Sequence, residues 1–163
     1  MKKVLKTLIF ILLVTNNIIA QVPAATLPEF KFARTNQSLF TNKDLPSGKK
    51  LFFIFFDPEC DHCQRAITYL NKNIADFKKA SIFLITIDIQ EKTDRFFATY
   101  GSNIKQQKNI TILRDFQNDF ISKFKPRKYP AMFLYSAQKK LLLYDDEEKN
   151  IINFSTKLNG KSR

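Results

Sequence analysis

Residues 51–56 read Leu-Phe-Phe-Ile-Phe-Phe, an apolar run with no polar interruption. A strand with one wet face alternates apolar and polar positions. A continuous short run predicts instead a strand buried on both faces of a sheet. Residues 81–88 and 109–113 repeat that character and predict two more strands. Between them the spacing changes. Ala66, Ile67, Leu70, Ile74 and Phe77 recur at helical intervals, predicting a helix over 60–78. Residues 93–100 predict a second helix, stopped by Gly101, and residues 115–124 a third, with Phe116, Phe120, Ile121 and Phe124 facing inward. Residues 131–135 and 140–144 predict a hairpin, and residues 147–158 a final helix. Residues 27–33 alternate and predict an edge strand, while Pro46-Ser-Gly48 marks a turn. The order β-α-β-α-β-α-β-β-α predicts an α/β fold, with a central mixed sheet, helices on both faces and a C-terminal hairpin plus helix.

The N-terminus departs from this pattern. Met1-Lys2-Lys3 is basic, residues 8–14 are apolar, and small residues follow at Ala20, Ala24 and Ala25. This predicts a signal peptide over residues 1–20, with cleavage after Ala20 or as late as Ala24. Lys6, Asn16 and Asn17 leave it short of the ~20 apolar residues a spanning helix needs. An uncleaved leader is the one route by which the chain would meet a membrane. No cysteine lies there to carry a lipid. Residues 21–163 then form a single domain, with its core in 27–158, long enough for a substantial interior. Sixteen of the chain's seventeen Phe fall in that domain and supply much of its interior. The whole chain carries a net +12; without the three lysines of the leader, 24 basic residues face 15 acidic ones, a net +9. The bases are scattered, as on a solvated surface. No nucleic-acid motif accompanies them, and nucleic acid is excluded as a partner.

The chemistry lies in Cys60 and Cys63, the only two cysteines, in the run Asp57-Pro-Glu-Cys-Asp-His-Cys63-Gln. Thiols at this spacing close into a small disulfide, Cys60–Cys63, or open to a dithiol. A loop this short gains little stability from closure, so the pair reads as a redox couple rather than a staple. Export adds to this, because an oxidising compartment keeps such a pair oxidised unless something reduces it. Cys60, at the start of the 60–78 helix, is the candidate nucleophile; backbone N–H groups there stabilise a thiolate. Cys63, one turn on, is the candidate resolving thiol. His62, the lone histidine, would stabilise the Cys60 thiolate when protonated, whereas Glu59 and Asp61 oppose it, leaving the net sign open. Zinc normally wants four ligands and this cluster offers three, so no metal is expected. Covalent haem needs a histidine after the second cysteine, where Gln64 stands. No cofactor is expected.

The run 52–64, followed by β-α material and then Lys128-Tyr129-Pro130-Ala-Met-Phe-Leu-Tyr135 with a terminal hairpin and helix, resembles the thioredoxin superfamily. The extra residues 81–114 resemble its exported TlpA-like and redoxin branch. The resemblance implies a thioredoxin-like fold and thiol-disulfide oxidoreductase activity in the periplasm or cell envelope. Its clients would be protein dithiols and disulfides, with an upstream thiol donor or acceptor. It further implies a cis peptide at Tyr129–Pro130, packed beside the cysteines, with Tyr129 and Pro130 binding substrate backbone.

The chain also departs from the family. Glu59 stands where Trp is common. Ile54 and Leu84 stand where thioredoxins carry a buried acid and a lysine, so Asp57 or water becomes the candidate proton relay. Peroxidases of the superfamily need Thr or Ser at the position of Asp57, which argues against peroxide chemistry. Residues 125–128, Lys-Pro-Arg-Lys, replace the usual glycine-containing approach to the cis proline. The expected function is reduction of protein disulfides. The rivals are a disulfide oxidase or isomerase, favoured by His62, and a binding module with an inert disulfide.

Overall fold

A computed structural model describes residues 22–160. The leader at residues 1–20 lies outside the described residues. Seven strands form one sheet in the order β2-β1-β5-β4-β3-β6-β7. The strands are β1 Lys31–Arg34, β2 Leu39–Thr41, β3 Lys50–Phe55, β4 Ala80–Thr86, β5 Ile110–Arg114, β6 Ala131–Tyr135 and β7 Leu141–Asp145. Strands β3, β4 and β5 are parallel, and β6 pairs antiparallel with both β3 and β7. Helices α1 Asp61–Lys72, α2 Gln90–Tyr100 and α3 Ile151–Asn159 complete the frame.

The uninterrupted apolar run becomes the central strand β3. Phe52, Ile54 and Phe56 enter one core with Ala66, Ile67 and Leu70 of α1, Phe96 and Phe97 of α2, and Phe154 and Leu158 of α3. Leu51, Phe53 and Phe55 enter a second core on the other face. All three α-helices therefore cover one face. The other is covered by Leu27, Phe30 and a single π-helical turn, Phe120–Phe124. Rings compensate for the short cover: Phe120 and Phe124 stack with centroids 4.1 Å apart, and Phe55 stacks on Phe120 at 4.6 Å. Offset and edge contacts of this kind add to the burial of the rings themselves.

Four sequence expectations change. The helix expected over 115–124 shrinks to that one turn. The buried Asp115 carboxylate accepts the backbone N–H of Asp119 at 2.9 Å and of Phe120 at 2.8 Å, and Asn118 and Lys125 take left-handed backbone. Such local bonds compete with a regular helix. Phe116 and Ile121, expected inside, are exposed. The helix expected over 60–78 stops at Lys72, because the Asn73 side chain donates to the Tyr69 carbonyl at 2.9 Å; a 3-10 turn, Ile74–Phe77, then carries Phe77 into the core. The final helix, expected from 147, begins as the 3-10 turn Glu148–Asn150. The strand expected at the edge is not at the edge: β1 is sandwiched between β5 and β2, a short strand the apolar pattern is too brief to reveal. Among the described residues no helix is long and apolar enough to cross a membrane.

Phe124 packs against Phe53, Phe120 and Phe133. Replacing it with alanine opens a cavity, and a cost of about 3–5 kcal/mol is expected. Urea unfolding checks this: the midpoint drops while the slope is unchanged.

Candidate active site

The parallel strands β3 and β4 end at the same edge of the sheet, and the antiparallel β6 begins there. Chain segments leaving β3 and entering β6 therefore converge. Phe56 extends the β3 ladder, its N–H donating to the Ile85 carbonyl at 2.9 Å. The next residue turns the chain. The Asp57 carboxylate accepts the Glu59 N–H at 2.7 Å, and its carbonyl accepts the Cys60 N–H at 3.2 Å. Asp57 and Pro58 thus form a tight turn that delivers Cys60 to the N-cap of α1.

Cys60 is half-buried and Cys63 fully buried; both are free thiols. Cys60 occupies the N-cap, next to the unpaired N–H groups of the first helical turn, and its sulfur makes no cap hydrogen bond to them. Its own carbonyl accepts the Gln64 N–H at 3.0 Å. Cys63, on the inward face of the same turn, accepts the Asp57 backbone N–H at 3.5 Å. Burial pushes the Cys63 thiol far above its ordinary range. The Asp57 N–H works against this, while a hydrogen bond with Cys60 and nearby negative charge add to it. Cys63 is consequently held as a protonated thiol beside the more accessible sulfur.

Tyr129 and Pro130, joined by a cis peptide, close the site from β6. The Tyr129 ring packs on Phe55 with centroids 4.8 Å apart and touches both cores. Burial pushes its phenol up to about 12, with the charges of Asp57 and Cys63 contributing. The approach, residues 125–128, is pinned rather than free. Arg127 pairs with Asp146 at 2.8 Å, its N–H donates to the Tyr144 hydroxyl at 3.1 Å, and Lys128 pairs with Glu147. Ile54 and Leu84, at the positions of the family's buried acid and lysine, sit opposite one another in the sheet and are wholly buried.

Glu59, His62 and Arg65 around Cys60 have distant partners, while Asp61 makes no salt bridge among the described residues. Glu59 pairs with Lys92 of α2 at 2.8 Å, which holds its carboxyl below the usual range. His62 does not stand free beside Cys60: its Nδ1 lies 2.9 Å from Glu148 Oε2 and 2.8 Å from Arg65 Nη2. Glu148 and Lys92 were not legible as site residues, since no local signal links positions 86 or 33 residues apart. Arg65 was within reach, because an i,i+3 pair on a helix shares a face with His62.

A central mixed sheet with a Cys-x-x-Cys pair at a strand-to-helix exit, faced by a cis proline, defines a thioredoxin-superfamily fold of the redoxin branch. The AhpC/TSA family model matches residues 23–144, most of the chain, and the chain belongs to that family. No curated protein matches it. Among solved structures it is similar to the thioredoxin domain of a thiol-disulfide oxidoreductase from Bacteroides vulgatus, at 15% identity and TM-score 0.67 over 85% of this chain and 98% of that one. It is also similar to a secreted Mycobacterium tuberculosis disulfide oxidoreductase homologous to E. coli DsbE, at 18% identity and TM-score 0.64 over 80% and 95% of the two chains. A third likeness is to the peroxidoxin BcpB of Mycobacterium tuberculosis, at 13% identity and TM-score 0.69 over 88% and 99%. At these identities the likeness is one of fold.

The contrast between the two sulfurs is measurable. Iodoacetamide at pH 8 should add one group to the reduced native protein, at Cys60, and a second only after unfolding. Intact mass against time reads this; two adducts appearing at equal rates would show that Cys63 is not shielded.

Proposed function

We propose that this chain is an exported thiol-disulfide oxidoreductase that reduces protein disulfides in the cell envelope through the Cys60–Cys63 couple. The observation that carries the reading is the pairing of an accessible N-cap sulfur with a buried, hydrogen-bonded one a turn later. The Cys60 thiolate attacks a client disulfide: a Cys60–client S–S bond forms, the client S–S bond breaks, and the departing client sulfur takes a proton. Cys63 then loses its proton, attacks Cys60 Sγ and forms the Cys60–Cys63 disulfide, releasing the second client thiol. Two electrons pass to the client. Asp57, whose charge reaches Cys63, is the proposed acceptor of that proton, directly or through water.

Further observations support the assignment. Burial of Cys63 disfavours its anion, and a couple whose thiolates are poorly stabilised lies toward the reducing end. Glu148 occupies His62, weakening the argument for an oxidase. Ile87, Ile89 and Phe116 are exposed on the segments that leave β4 and β5 at the end of the sheet where Cys60 lies, and they would meet apolar residues of a client. Tyr129 would pair with the client backbone beside Pro130. His62 is assigned as the group that tunes the Cys60 thiolate. Asp57 in place of a Thr or Ser supports a protein disulfide over a peroxide as substrate.

Wild type should reduce insulin disulfides, Cys60→Ser should lose at least two orders of magnitude in rate, and Cys63→Ser should accumulate mixed disulfides visible on non-reducing gels. Equal rates for wild type and Cys60→Ser would end the reading.

Cleavage is proposed after Ala20 rather than Ala24. The Ala24 carbonyl accepts the hydroxyl of buried Tyr135 at 3.0 Å, and its N–H donates to the Phe124 carbonyl at 3.1 Å. A chain beginning at Ala25 strands that hydroxyl. It should be less stable than one beginning at Gln21 by about 1–3 kcal/mol, measured by paired denaturant melts.

A further inference from the structure

We propose that Glu148 is a positioning residue that sets the reduction potential of the Cys60–Cys63 couple from the far end of the chain. The inference rests on the redox reading above and names what regulates that site.

Glu148 opens the 3-10 turn Glu148–Asn150, ahead of α3. That turn is held in place. Asp145 accepts the Glu147 N–H at 2.9 Å and the Asn150 amide at 3.0 Å, and Glu147 is paired with Lys128. From this mount the Glu148 side chain reaches the first two turns of α1. One oxygen lies 2.9 Å from His62 Nδ1 and the other 3.2 Å from Arg65 Nε. The carboxylate is 19% exposed, against 57% and 54% for its two partners. Partial burial pushes its carboxyl up, but hydrogen bonds from His62, its own backbone and Arg65 outweigh this and hold it below the usual range.

The three groups cannot all be satisfied at once. Arg65 Nη2 also lies 2.8 Å from His62 Nδ1. A ring nitrogen either donates to the carboxylate or accepts from the guanidinium, never both. In either tautomer Glu148 still pairs with Arg65 through its second oxygen. The carboxylate is the only acid within salt-bridge reach of His62 or Arg65 among the described residues.

The consequence falls on Cys60, two residues before His62. On one side Glu59 is offset by Lys92, and on the other Arg65 is offset by Glu148, which also contacts His62. With these charges offset, the helix start is left as the main support for a Cys60 anion, against the exposed Asp61 carboxylate beside it, which has no salt bridge among the described residues. Reduction adds two electrons to the S–S bond, so whatever stabilises the anionic sulfur draws the equilibrium toward the dithiol. Removing the carboxylate exposes positive charge on the first turns of α1 and makes the couple more oxidising. Glu148 thus keeps it reducing.

The test is the equilibrium of the full mature chain with reduced and oxidised glutathione at pH 8. Glu148→Gln should shift the equilibrium toward the dithiol by threefold or more, about 14 mV at 29.6 mV per tenfold. Glu148→Asp should stay near wild type, and the double variant Arg65→Gln with Glu148→Gln should return toward it. A Glu148→Gln protein that melts like wild type and titrates at the same or a more negative midpoint overturns the proposal. Should Glu148→Gln not fold, Arg65→Gln alone reads the same coupling with opposite sign, and no shift there overturns it equally. A wild type with no reversible Cys60–Cys63 disulfide at any glutathione ratio would instead remove the redox reading, and this inference with it.

Discussion

The position of β3 at the centre of the sheet is the constraint on which the site depends. Its backbone is paired on both sides, parallel to β4 and antiparallel to β6. Its side chains are buried on both faces. A strand held on four sides has no freedom at its exit. The Asp57–Pro58 turn that follows is therefore fixed, as is the start of α1. The same pairing brings the beginning of β6, with Tyr129 and Pro130, to that exit. The two cysteines thereby follow a strand that is paired on both sides and buried on both faces.

Around this rigid centre the chain separates two sulfurs by environment rather than by sequence. Cys60 and Cys63 lie one turn apart on one helix, yet one meets solvent and the other meets Phe and Ile side chains. Burial raises the cost of charge on Cys63 and leaves Cys60 as the more accessible sulfur. The ion pairs around them form an outer layer. Lys92 comes from α2, Glu148 from the turn before α3, and Asp146 and Glu147 from beyond β7. Surface pairs of this kind add little stability. They tie the turn before α1 and the approach to Pro130 to residues distant in the chain.

The sequence was a good guide where a single strong pattern ruled. The run at 51–56 appears as Lys50–Phe55, and the run at 81–88 as Ala80–Thr86. It misled where local polar side chains overrode apolar spacing. Phe116 and Ile121 have the right interval for a helix face, but Asp115 and Asn118 bend the backbone so that both point outward. Asn73 likewise ended α1 before its apolar stripe did. Strand β2 has too few residues for alternation to be visible.

By itself the sequence determined the α/β order, the buried central strand, and a lone Cys-x-x-Cys placed where that strand yields to a helix. These follow from periodicity and from turn chemistry within a dozen residues. Only the tertiary structure decided that Cys63 is wholly enclosed, that Glu148 takes hold of His62 and Arg65, and that Ala24 completes the hydrogen bonding of Tyr135. Those partners lie far apart along the chain, and the energy that joins them comes from packing the sheet between its covers. No local pattern of residues encodes which surfaces that packing will bring face to face.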